Sequence, residues 1–285
     1  MWTRILICFS LLGLSSILMA EHLDPYQLMS LAPNPDVRAS YDPTTRTYQR
    51  GGIGILVYDG ANAIDALGPF QVFSTAGLKP LLISASKNSN GLYKKNIVFN
   101  SDLEITAHRT IADTNDLEVL IVPGGALDTI NLAKDSEVIN WIKTIDQKTV
   151  ATGSVCTGSW ILGAAGLLQG KQATSNWYRA DELLRHFGAI PQPKQRYLYD
   201  GKIWTASGVT AGIDMALAMV QKVFTKDLND GKDYTQSVML DLQYDPKPPI
   251  VGGSPENTEP SVFDAMQSMY DLFNLNNLVK EIPVQ

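Results

Sequence analysis

From Gly52 onward, short unbroken apolar runs alternate with longer amphipathic stretches, which is the pattern of strands buried on both faces with helices between them. Residues 52–58, Gly-Ile-Gly-Ile-Leu-Val-Tyr, predict the first such strand, and Asp59-Gly60 a turn out of it. Asp65 is expected in the loop that follows. Pro69 then suits a first helical turn, and Phe70, Val72 and Phe73 supply an apolar face up to Gly77. Residues 81–85 and 117–122 predict further buried strands, the second ended by Pro123-Gly124-Gly125. Between them, apolar pieces at 97–99 and 103–105 around Asn-Gly and Asn-Ser turns predict a small antiparallel excursion. A helix at 138–145, a strand at 150–155, a short helix at 158–165, a strand at 171–174 and a helix at 178–187 come next. Residues 197–199 and 203–206, joined by Asp200-Gly201, read as a hairpin. A helix at 212–224 carries Ile213, Leu217, Val220 and Phe224 at spacings of three and four. A helix from Lys226 to Leu242, a Pro-rich stretch at 244–249 and a helix at 262–275 complete the pattern.

Strands alternating with helices predict a doubly wound α/β sandwich with a mainly parallel sheet, whose ligand site lies beyond the carboxyl ends of the strands. The α/β domain is expected at 51–225, with a helical and Pro-rich extension at 226–285 packing on it. Residues 21–50 are rich in Pro, Asp, Thr and Tyr without a sustained period, and read as a linker or arm. The first twenty residues carry one charge, Arg4, then an apolar run to Leu18 and the small Ala20, the three-part pattern of a secretory signal. Cleavage near Ala20 and an exported, periplasmic or secreted protein are therefore expected; the alternative is an uncleaved membrane anchor, for which the run is short against a span of about 20 apolar residues.

Composition changes this picture in two places. The formal charge of -6 and the lack of a basic cluster argue against nucleic acid as a partner, and against membrane association once the signal is gone. Of the two cysteines, Cys8 would leave with the signal, so Cys156 would stand alone, without an intramolecular disulfide, in an oxidising compartment. His22, His108 and His186 are too scattered for a metal site, so neither metal nor cofactor is expected.

Cys156 sits where the 150–155 strand turns into the 158–165 helix, with Ser154 two residues before it and Gly158 two after. Strand, tight turn, helix with small neighbours is a cysteine form of the nucleophile elbow. A thiol at a helix N-terminus is expected to have a lowered pKa and to be reactive. A buried, inert cysteine is the plainer alternative. Asp65 could be a catalytic acid or only a helix-capping carboxylate, and Thr157 catalytic or only structural. Gly124 and Gly125 could supply backbone donors to a developing anion or merely make a turn. Trp160 and Trp177 read as core or pocket walls.

Several segments resemble one family. Val57-Tyr-Asp-Gly60 with Asp65 and Leu67-Gly-Pro69, Val122-Pro-Gly-Gly125, Val155-Cys-Thr-Gly158, Ala173-Thr174 and Gly208-Val-Thr-Ala-Gly-Ile-Asp214 are similar to those of the ThiJ/PfpI family of the class I glutamine amidotransferase-like superfamily, with its flavodoxin-like fold. Thr157 directly after the cysteine, where the proteolytic branch has histidine, and Gln243-Tyr-Asp-Pro-Lys-Pro-Pro249 point within it to the isonitrile hydratase branch. The resemblance implies that Cys156 is the nucleophile, that Asp65 is the nearby acid, and that N–H groups of Gly125 and Thr157 line an anion-stabilising pocket with Gly124 and Gly158 beside it. It also implies a homodimer. Relatives often have Thr-His-Trp where this chain has Ser175-Asn176-Trp177, so a histidine role does not carry over. The activity implied is addition of water to an isonitrile, a small-molecule substrate, giving an N-substituted formamide. A redox sensor or binding protein of the same fold, and a glyoxalase-like or hydrolytic relative, would keep the same cysteine.

Overall fold

The structure, a computed structural model, describes residues 41–42, 47–48, 52–224 and 231–285. The expected signal at 1–20 and most of the arm at 21–50 lie outside the described residues. In chain order the elements are β1 (Ile53–Val57), α1 (Ala63–Thr75), β2 (Leu81–Ser84), β3 (Asn96–Val98), β4 (Glu104–Thr106), β5 (Arg109–Thr110) and β6 (Val119–Val122). There follow α2 (Leu127–Lys134), α3 (Ser136–Asp146), β7 (Ala151–Val155), α4 (Gly158–Ala164), β8 (Gln172–Ala173), α5 (Ala180–His186), β9 (Ile190–Pro191), β10 (Tyr197–Asp200) and β11 (Ile203–Ala206). The chain ends with α6 (Ala211–Met219), which runs on into a wider turn at Val220–Phe224, then α7 (Lys232–Asp241), α8 (Pro260–Leu272) and α9 (Leu275–Lys280).

The central sheet has seven strands in the order β10-β11-β7-β6-β1-β2-β5, parallel except for β10 against β11. Its β-branched and leucine-rich strands are buried on both faces, as the unbroken apolar runs predict. The chain leaves β1 toward β2 on one side and returns to β6 on the other, so the order reverses between β1 and β6. Helices cannot cover the crevice at such a reversal, and the loops after neighbouring strands open there. Register aligns the strand ends: Ile55 pairs with Ile121, Val122 with Ser154 and Val155 with Ala206.

Some elements differ from the sequence pattern for physical reasons. Asn62 caps α1, its Oδ1 accepting the N–H groups of Ile64 and Asp65 at 3.1 and 3.3 Å, so Asp65 lies in the first helical turn and not in a loop. Pro69 is therefore inside the helix. Helix α2 was not expected; it starts at Ala126, which has φ 50° and no side-chain cap, and its start is held by Thr157, 31 residues further on. Arg179, left-handed at φ 44°, delays α5 to Ala180, and Asn274 at φ 55° divides α8 from α9. The strand expected at 171–174 shrinks to β8, which pairs with β9 outside the main sheet. The antiparallel excursion is present as β3 and β4, with Ile97 opposite Ile105.

Candidate active site

At the end of β7 the chain reverses at Cys156, whose φ of 59° is a conformation that side chains other than glycine adopt at a cost of about 1–3 kcal/mol. The surroundings over-determine it. The Cys156 N–H donates to the Ala206 carbonyl at 2.9 Å, and the Cys156 carbonyl accepts from the Ser159 hydroxyl at 3.2 Å, which in turn accepts from the Ser175 hydroxyl at 2.6 Å. Two glycines leave room for the bend. A Cβ at Gly158 would lie 2.1 Å from the Val122 carbonyl oxygen, and one at Gly208 would lie 2.5 Å from the Cys156 Cβ. Gly158 thus serves close packing of the first turn of α4 against β6.

The Cys156 residue is only 8 % exposed, and the groups around its sulfur come from segments far apart in the chain. Asp65, fully buried, reaches in from α1; its Oδ2 accepts the Gly124 N–H at 3.0 Å. Its Oδ1 is buried without a hydrogen-bond partner, and the Cys156 side chain is close enough to act on the carboxyl group. Burial raises the Asp65 pKa to about 7, against the opposing pull of the Gly124 N–H and the Cys156 side chain. Since Asn62 does the capping, Asp65 has no structural task at the helix start. Asn176 Nδ2 stands 3.4 Å from the sulfur, and its orientation is set because its Oδ1 accepts the Tyr178 N–H at 3.0 Å.

The expected lowering of the thiol pKa is not found. Burial pushes the Cys156 thiol up, and the Asp65 carboxylate pushes it further, outweighing the N–H groups of Thr157 and Asn176 that favour the thiolate. Two negative charges cannot share this dry space, so near neutral pH the pair carries one at most.

Thr157 and the two glycines also differ from expectation. Tyr58 OH donates to the Pro123 carbonyl at 3.1 Å, which leaves it to accept from Thr129 Oγ1 at 3.0 Å; Thr129 must then accept from Thr157 Oγ1 at 2.9 Å. The remaining lone pairs of Thr157 Oγ1 take the N–H groups of Gly125 at 3.1 Å and Ala126 at 3.2 Å. Its hydroxyl is saturated and builds the 123–126 loop. The Gly125 N–H expected to face an anion is thus occupied by Thr157, as the Gly124 N–H is by Asp65; the Thr157 N–H does face the sulfur. A Cβ at Gly124 would lie 2.4 Å from Thr157 Oγ1, so close approach is why glycine stands there.

Over the site lies an aromatic cluster. Trp177 meets Phe263 and Tyr270 of α8 edge-on at centroid distances of 5.7 and 5.2 Å. Burial raises the Tyr270 pKa and the charge of the nearby Cys156 sulfur adds to it. The sequence pattern names Ser175 and Asn176 only as a departure from relatives and Tyr58 only within a family-like segment, and does not mark Ser159 or Thr129, because their roles arise from contacts distant in the chain. Trp160 is buried in the core and Trp177 packs against Tyr270. Among the described residues no three His, Cys, Asp or Glu side chains gather as a metal site would need, and no helix is long and apolar enough to cross a membrane.

Comparison with known proteins bears on the family and the fold. The sequence profile of the DJ-1/PfpI family matches residues 52–222. An isonitrile hydratase of Pseudomonas putida is 37% identical over 215 residues, covering 74% of this chain and 86% of that protein. A transcriptional regulator, GbdR of Pseudomonas aeruginosa, is 24% identical over 172 residues, and this chain spans only 46% of its length. Among solved structures, a THiJ/PfpI family protein from Pseudomonas syringae superposes with a TM-score of 0.72 at 30% identity, covering 92% of this chain and 99% of that one. Schizosaccharomyces pombe DJ-1, 18% identical with a TM-score of 0.56 over 65% of this chain and 97% of its own, shares the fold.

Proposed function

Because this chain belongs to the DJ-1/PfpI family, we propose that it is a cysteine-dependent hydratase that adds water to an isonitrile to give an N-substituted formamide. The observation that carries this reading is the buried pair of Cys156 and Asp65, whose side chains shift each other's pKa, with one carboxyl oxygen left without a hydrogen-bond partner. The terminal isonitrile carbon is a soft electrophile matched to sulfur. As Cys156 Sγ bonds to it, Asp65 takes the thiol proton and delivers it to that same carbon, giving a thioimidate. Water then adds to the carbon, its proton passes to nitrogen, and the carbon–sulfur bond breaks with the thiol proton restored; the sum is isonitrile plus water to formamide. Asn176 and the Thr157 N–H hold the charge that moves through sulfur.

Purified protein incubated with an isonitrile should yield the matching formamide, detected by mass spectrometry with one oxygen from labelled water. Formamide no higher than in a heat-denatured control, or turnover of 2-oxoaldehydes in its place, would remove the hydratase reading. Since the active pair carries one negative charge, kcat/KM should fall as pH drops through about 7, where Asp65 takes up its proton, and level off above it.

We propose also that the protein is exported, on the pattern of its first twenty residues. Expressed from its full-length gene, it should be recovered beginning near Glu21; N-terminal sequencing that finds Met1 on the protein would reject this.

A further inference from the structure

Residues 175–179 join the sulfur to the C-terminal extension. Ser175 braces Ser159, which donates to the Cys156 carbonyl, Asn176 donates to the sulfur, and Tyr178 fixes the Asn176 amide through its backbone N–H. The next contacts belong to α8. Tyr178 OH donates to Asp271 Oδ1 at 2.6 Å, and Arg179 grips the same carboxylate with Nε at 3.2 Å and a second nitrogen at 3.1 Å. Arg179 is also one of the left-handed residues, so this short segment would relax toward ordinary backbone conformations without an outside hold. Tyr270 beside Asp271 packs on both Trp177 and Tyr178, with ring centroids 5.2 and 5.1 Å apart. None of the residues of α8 is fully buried, so the helix is held on the body by this aromatic and ionic contact set more than by a core of its own.

From this arrangement we infer that Asn176 is a catalytic residue that donates to the Cys156 sulfur, and that Asp271, through Arg179 and Tyr178, is the positioning residue that keeps its amide aimed there. The inference rests on Cys156 being the reactive centre. An amide donor does not titrate, so its pull on the sulfur is constant across pH, and it depends on geometry alone. A hydrogen bond lasting only when the acceptor is charged favours the thiolate over the thiol. The extension at 226–285 thereby completes the reacting centre of a domain whose sheet ends at residue 206.

Labelling of Cys156 by iodoacetamide tests this on the full chain without requiring any isonitrile turnover, so its outcome stands apart from that of the hydratase reading. Asn176→Leu, similar in volume, should lower the rate at pH 8 about tenfold, the loss of one hydrogen bond to a charged group. Asp271→Asn should lower the pH 8 rate about threefold, and the double variant should be no slower than Asn176→Leu, because Asp271 acts through the amide. Thermal unfolding by circular dichroism identifies folded variants, and Asn176→Gln provides a second probe that keeps an amide but displaces it. A parental rate at pH 8 in folded Asn176→Leu, or a rate not slowed in folded Asn176→Ala, where the smaller side chain can only widen access, overturns the role of Asn176. Parental labelling in Asp271→Asn, or losses that multiply in the double variant, overturns the role of Asp271.

Discussion

Cys156→Ala is expected to lose at least about a thousandfold in kcat on an isonitrile, and Asp65→Asn roughly a hundredfold or more, while both remain folded. Cys156→Ser should fare little better than alanine, because a hydroxyl ionises far less readily than a thiol and no strong base lies beside it. Asn at position 65 keeps an oxygen to accept the Gly124 N–H but cannot carry the proton. The same substitution has an opposite effect on stability. The Asp65 pKa is raised from 3.8 to about 7 on folding, so the native state binds the extra proton between those values. Parental stability on account of this group is therefore highest at low pH and falls as pH rises to about 7, by about 1.4 kcal/mol for each pH unit at most. Asp65→Asn removes that dependence and should be the more stable protein at pH 8. Urea denaturation at pH 5 and 8, beside kcat measurements, checks both halves. Near-parental turnover in Asp65→Asn would remove the carboxyl from the mechanism, and turnover surviving in Cys156→Ala would remove the hydratase reading altogether.

Thr157→Val is expected to harm the fold. Valine fills the same space, but it leaves the N–H groups of Gly125 and Ala126 unpaired in the interior and deprives Thr129 of its donor. Unsatisfied buried groups cost about 1–3 kcal/mol each, so a loss of about 2–4 kcal/mol is expected, read as a lower urea midpoint with an unchanged slope. Thr157→Ser, which keeps the hydroxyl, should recover most of it. The loop from Pro123 to Ala126 also places the Gly124 N–H on Asp65, so activity should fall in step with stability in this variant. A valine variant as stable as the parent would show that Thr157 does not build the loop.

The legible part of this protein is the part encoded by neighbours in the chain. Apolar runs such as 52–58 and 117–122 place strands because a strand buried on both faces has no polar face to show. The elbow at Cys156 was readable because strand, bend and helix follow one another directly, with glycine two residues on. Family-like segments extended that reading to Asp65 and the glycines, yet not to what their atoms do. Helix α2 went unread because its first turn is held by Thr157 from another loop, with no capping residue of its own. Asp65 was misplaced into a loop since one asparagine, Asn62, starts the helix earlier than Pro69 suggests.

Local sequence therefore determined the parallel α/β architecture, the strand ends at which a site could form, and the cysteine at the sharpest bend. Only the tertiary structure decided how that cysteine behaves. A helix start by itself argues for a lowered thiol pKa, but desolvation and a carboxylate from a helix 91 positions earlier act in the opposite direction and outweigh it. Tertiary contacts likewise turned Thr157 from a candidate catalyst into a loop builder, closed the Gly125 N–H, and brought Asn176 to the sulfur. The physical reason is the same in each case: protonation and hydrogen bonding depend on what surrounds an atom after burial, and that environment is assembled from segments far apart in the chain.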